Sequence, residues 1–226
     1  MKEKKPAYVK NRKKTKNVDY ISIALFLIAL LAFFYFVYDY QQDRIQQSIP
    51  EEEKIISYSY NGHDFTKEAG IWYTQIEKNG VPYIIMTQYG PLEVENETIS
   101  YNTNFFPRLT RAGEDIYITF DPREENKSDV AIAGVNFKQG LTIVYNVNVK
   151  PACTINDTGC PIVQTCNSTD KGVIEIIRDD DARGEYEGNC LKIYGKDQDL
   201  IKITNRILFE WYGIIQVDEA GQVYRT

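Results

Sequence analysis

The chain has 226 residues, 43% hydrophobic and 26% charged, which suits one folded domain with extensions and excludes a wholly disordered chain. Its net charge of −6, from 26 basic and 32 acidic side chains, argues against a nucleic-acid-binding domain, which needs a basic face. With one histidine, His63, multi-histidine metal centres are excluded, and a Ser-His-Asp triad has a single option for its imidazole.

The first element is a tail, residues 1–19. It carries eight basic side chains against Glu3 and Asp19, a net +6, and leaves −12 for the rest of the chain. Tyr20 to Tyr38 follows without a charge. As a helix these 19 residues reach roughly 28 Å, close to the hydrocarbon thickness of a bilayer. The apolar residues face every direction, as a lipid-exposed helix requires. A cleaved signal peptide would be shorter and would end in small residues. This stretch ends in Phe33-Phe34-Tyr35-Phe36, an aromatic belt. The reading is an uncleaved single-pass transmembrane helix over 20–39 in the cell membrane. By the positive-inside rule the N-terminus is cytoplasmic and the remainder extracellular.

Residues 40–54 form a polar connector ended by Pro50 and three glutamates. Residues 55–101 predict a β-meander. Its period is two, with Asn61-Gly62 and Asn79-Gly80 marking type I′ hairpin turns. Pro82 places the strand Val81–Tyr89 at a sheet edge. Leu92–Ile99 alternates apolar and acidic residues and predicts a further strand.

Residues 102–226 predict an α+β region. A loop through Phe105-Phe106-Pro107 reaches a strand at Ile116–Phe120. A helix over Asp129–Gln139 is stopped by Gly140, and a β-branched strand covers Leu141–Val149. A cysteine-bearing loop spans roughly 150–170. Strands at Val173–Ile177 and Tyr186–Tyr194 precede a last helix. There Leu200, Ile203, Ile207, Leu208 and Trp211 share one face, with Asp197 or Asp199 at its start and Gly213 at its end.

The four cysteines, Cys153, Cys160, Cys166 and Cys190, all follow the anchor, as disulfides in an oxidising compartment would. Three pairings exist. Cys153–Cys160 with Cys166–Cys190 is preferred because the loops then do not cross. Zinc is disfavoured by the lack of a Cys-x-x-Cys knuckle. Glycosylation sequons stand at Asn96, Asn126, Asn156 and Asn167.

From 115 onward the order is strand-helix-strand, loop, strand-strand-helix, a mixed-sheet βαβ–ββα arrangement. It resembles the thioredoxin-like core, without that fold's redox motif. The runs Tyr60-Asn61-Gly62, Trp72-Tyr73-Thr74-Gln75, Tyr89-Gly90-Pro91, Thr119-Phe120-Asp121-Pro122, Asn189-Cys190 and Trp211-Tyr212-Gly213 resemble uncharacterised archaeal single-pass membrane-anchored proteins. That resemblance spans most of 55–215 and implies no activity.

Candidate chemistry is sparse. His63 beside Asp64 is read as a surface turn residue. Asp179-Asp180-Asp181 with Glu185 and Glu187 is read as a solvated turn, since the calcium alternative lacks an EF-hand spacing. Trp72, Tyr73, Trp211 and Tyr212 are read as core rather than ligand groove. No catalytic residue, metal ligand or cofactor is assigned. Two function classes follow. The favoured one is a membrane-anchored binding or assembly module for a protein or cell-surface polymer, with no nucleic-acid partner. The alternative is an anchored hydrolase that uses paired carboxylates.

Overall fold

The computed structural model describes residues 56–100, 115–125, 127–160, 162–168, 170–218 and 221–225, together with Leu31, Phe33, Phe34, Tyr35 and Tyr38. The chain divides into two units, Met1–Glu53 and Lys54–Thr226. In the first, the described residues are helical and exposed. Most of the predicted anchor, the connector, the loop at 105–113 and the Asn126 sequon lie outside the described residues. Among those described, no helix is long and apolar enough to cross a membrane.

The second unit begins with the meander: β1 (Ile56–Tyr60), β2 (His63–Glu68), β3 (Ile71–Lys78) and β4 (Val81–Thr87), antiparallel in that order. Its turns follow from backbone chemistry. Asn79 (φ 54°) and Gly80 (φ 77°) are both left-handed, as a type I′ turn demands, and so are Asn61 and Gly62. The β2–β3 turn uses Ala69 at φ 49°, which composition did not announce. The alternation buries Tyr60, Phe65, Trp72, Ile76 and Ile85 on one face.

Leu92–Ile99 is not a strand. Pro91–Val94 forms a helical turn, α1, because Pro91 suits its first position and the Glu93 carboxylate accepts the Gly90 N–H at 2.6 Å. Only Ile99 bridges a sheet, at Gly184.

The remaining elements are β5 (Asp115–Phe120), α2 (Ser128–Gln139), β6 (Asn148–Cys153), β7 (Gly172–Arg178), β8 (Arg183–Glu187), β9 (Cys190–Gly195), α3 (Gln198–Trp211), β10 (Gln216–Val217) and β11 (Val223–Tyr224). Gly140 does not stop α2. The helix continues through a π turn, Gly140–Val144, and β6 starts only at Asn148. Phe137, Leu141 and Val144 fall at i, i+4 and i+7 and are all buried, so packing overrides the β-branched composition. The predicted strand Tyr186–Tyr194 is two strands, β8 and β9, joined at Gly188-Asn189.

The larger sheet has the order β6-β5-β7-β9-β8, parallel except for β8. A thioredoxin-like core runs its third strand antiparallel to its first. Here β7 pairs β5 in parallel, so that expectation is corrected while the mixed α+β class stands. Parallel sheets need both faces covered. α2 and α3 cover one face, over Ile116, Ile118, Ile174, Ile176, Leu191 and Ile193. The opposite face carries Glu175, which accepts the Cys166 N–H of the cystine loop at 3.3 Å.

α3 joins the two sheets. Its Leu200, Ile203 and Ile207 belong to the core of the five-stranded sheet, and its Phe209 belongs to the core of the meander with Phe65 and Trp72. Arg206, 1% exposed, bonds the Glu95 carbonyl at 3.3 Å and Glu210 at 3.1 Å, which pairs its buried charge.

Candidate functional site

The edges of the two sheets differ in how they are finished. On β8 the free edge is bonded by Thr98 and Ser100 through the N–H and C=O of Gly184. On β6 the C-terminal end is bonded by Ile162 and Gln164 through Cys153. No main-chain partner lies along β4 among the described residues.

The β3–β4 register tells which groups β4 leaves open. A two-residue turn makes Lys78↔Val81 a hydrogen-bonded pair, and such pairs alternate along the ladder. Tyr83, Ile85 and Thr87 therefore bond β3. Ile84 and Met86 aim both N–H and C=O away from it, as does the carbonyl of Pro82. Pro82 lacks an N–H only where none is needed. Ile84 is 70% exposed and Met86 57% exposed.

Beside this edge runs a groove. A narrow slot of about 40 Å³ is walled by Ile84–Thr87 on one side and Gln139, Gly140 and Ile143 on the other, with Leu208 and Tyr212 in its lining. It shares Met86, Thr87, Asn136 and Gln139 with an open groove of about 410 Å³ lined also by Ile71, Tyr73, Ile132 and Val135. Asn136 donates to Gln88 at 2.8 Å, tying α2 to the segment after β4. No charged residue lines either part. Burial raises the Tyr212 pKa, so its phenol stays neutral. The far wall is unusual for a surface helix: Ile132, Val135 and Ile143 are exposed while Val130, Ala133 and Phe137 are buried, so α2 is apolar on both sides.

The aromatic residues singled out in the sequence thus divide. Trp72 is buried, donating from Nε1 to Glu93 at 2.6 Å, and Trp211 packs on Phe137 with ring centres 5.5 Å apart. Tyr73 and Tyr212 line the groove instead. Sequence reasoning missed the groove because its walls are some fifty residues apart. The available signal was the absence of charge from Val81 to Tyr89.

His63 pairs Tyr60 across the first hairpin, and its Nδ1 lies 3.5 Å from the Gln75 carbonyl. Asp64 binds Ser59 rather than His63. In the acidic turn, Arg183 reaches Glu185 at 2.8 Å and Asp179 at 3.3 Å, Lys196 pairs Asp180, and Lys192 pairs Glu187 at 2.7 Å. The Asp181 N–H, followed by Arg183, holds the Asp179 carboxyl below its usual range. These carboxylates are matched by cations of the chain itself.

For the hydrolase alternative, burial raises the Glu97 pKa, with Asp199 adding to it, but neither lines the cavities described here. A hollow of about 400 Å³ at the carboxyl ends of β5 and β6 holds one carboxylate, Asp157.

The cysteines form Cys153–Cys160 and Cys166–Cys190, with Cα atoms 6.1 and 5.4 Å apart. Cys166, Glu175 and Cys190 gather within 4.8 Å, but both sulfurs are committed to the disulfide. Asn96, Asn156 and Asn167 are exposed.

Comparison of the chain with protein-family profiles, curated proteins and solved structures returns no match.

Proposed function

We propose that this is a single-pass membrane-anchored protein whose extracytoplasmic unit binds a partner protein by accepting an extended strand along β4. The anchor reading rests on the +6 tail and the uncharged stretch Tyr20 to Tyr38. Protease added to intact cells should remove residues 55–226 and spare the tail, and protection of the large unit would refute that orientation.

The observation that carries the binding reading is the free β4 edge set beside an uncharged groove. Outward-facing N–H and C=O groups at Ile84 and Met86 are matched by the backbone of another strand, which supplies both complements at the same repeat. Burying a charge in this groove would leave it unpaired, so the occupant is an uncharged segment alternating apolar and small polar residues. The other outer edge, β1, carries the polar Ser57 and Ser59 at its outward positions and lines no part of this groove.

The test uses the full chain in phosphatidylcholine nanodiscs. The probe is a capped, dye-labelled peptide alternating threonine and valine. Saturable binding is expected, lost with Ile84→Pro and lost when alternate peptide nitrogens are methylated. Equal binding of the methylated probe would overturn the reading. So would a β4-to-β4 dimer of the chain that excludes the probe.

A further inference from the structure

We infer that a second cavity, beneath α2 on the β6 side of the five-stranded sheet, is a binding site for a linear carboxylate with an apolar chain of about ten carbons.

The cavity is about 260 Å³. An engineered apolar cavity of about 150 Å³ accommodates the six carbons of benzene, which sets the chain length. Ile118, Val130, Val149 and Ile176 in its wall are buried members of the main core, and Phe120 and Pro151 complete it toward the β6 edge. The space therefore reaches into the core. The pocket opens to solvent where Ala131, Val135 and Pro151 are exposed, and its apolar wall offers water few polar partners to hold it there.

Gly134 keeps the space open from the helix side. A Cβ there would stand 3.6 Å from Ile118 and 3.9 Å from Ile176, ordinary contact distances, so alanine fits and nothing in the backbone requires glycine. Glycine in a helix interior is otherwise unfavourable. The free volume is the physical return for that cost.

Charge fixes the ligand's head. Lys138 is the one charged residue in the lining, and it is exposed, one turn beyond Gly134. It makes no ion pair among the described residues. An apolar bore ending at an unpaired ammonium suits a carboxylate lying outward with its chain inward. The cavity shares Ala131 and Val135 with the β4 groove on the other side of α2, which accounts for a helix apolar on both sides.

The experiment takes the full chain in phosphatidylcholine nanodiscs and a decanoate probe bearing a photoreactive diazirine near the chain end. Labelled residues are mapped by mass spectrometry, with unlabelled decanoate and decanol as competitors. Labels are expected on Val130–Lys138 and Asn148–Pro151. Decanoate should compete better than decanol by about threefold, the contribution of an exposed ion pair, and Lys138→Gln should erase that difference. Gly134→Leu, which fills the cavity, should abolish the labels, while Gly134→Ala preserves the fold and reduces them. Undiminished labelling in a Gly134→Leu protein of unchanged melting temperature would overturn the site. So would labels confined to residues 20–38, or equal competition by the two amphiphiles.

Discussion

Ile84 lies opposite Gln75 at a position of the β3–β4 ladder where the two residues exchange no main-chain hydrogen bond. Its neighbour Ile85, opposite Thr74, does bond β3 and is buried. One step along the strand thus separates a position whose main-chain groups both point away from the sheet from one holding the sheet together.

That step is testable by proline. Ile84→Pro removes an N–H that β3 does not use, and should change stability by less than about 1 kcal/mol. Ile85→Pro removes a ladder bond and a buried side chain, and should cost about 3 kcal/mol or more. Thermal melts of the two variants check the register. Equal destabilisation would mean that the pairing is out of phase.

The two disulfides close loops with sequence separations of 7 and 24. In the chain-entropy treatment these are worth about 2.5 and about 3.5 kcal/mol. Replacing Cys166 and Cys190 together should therefore lower stability more than replacing Cys153 and Cys160. Peptide mapping without reduction should find only these two pairings, and a Cys153–Cys190 peptide would contradict the fold around β9.

Much of this architecture was legible where local chemistry and packing agree. Asn61-Gly62 and Asn79-Gly80 can adopt the two left-handed conformations of a hairpin turn cheaply, so the meander could be read directly. The spacing of Leu200, Ile203, Ile207, Leu208 and Trp211 marked α3, since one face of that helix had to be buried. Leu141–Val149 was misread because its β-branched residues favour a strand locally while Phe137, Leu141 and Val144 are held at helical spacing by the core. The Glu93 side chain, bonded to Gly90 N–H and Trp72 Nε1, turned an alternating run into a helical turn. The groove was not legible, because it depends on β4 being an edge and on α2 lying beside it.

Alkaline pH should reveal the tyrosines that fasten α1 to the meander. Burial, with Glu93 nearby, leaves Tyr58 pushed up to about 12. Burial and the bond to Glu95 push Tyr60 up to about 12. Unfolded tyrosine titrates near 10. A raised folded value means full stability below about pH 10 and progressive loss as pH rises toward 12. Melting temperature should be level up to pH 10 and then fall, less steeply in Tyr60→Phe. A fall that is just as steep in Tyr60→Phe would rule out Tyr60 as its source.

His63 contacts a backbone carbonyl at 3.5 Å and does not engage Asp64. His63→Gln should alter stability by no more than about 0.5 kcal/mol and leave probe binding intact. A stable His63→Gln protein that reproduces the phenotype of a deletion strain would bring back an imidazole-dependent mechanism.

The most direct measurement places a photo-crosslinking phenylalanine analogue at Tyr73, which lines the groove, in cells expressing the full chain. The same chain carrying Ile84→Pro is irradiated alongside it. Strand addition predicts a discrete adduct with another protein in the first case and its loss in the second, at equal protein levels. An adduct that persists undiminished with Ile84→Pro would contradict recognition through the β4 edge.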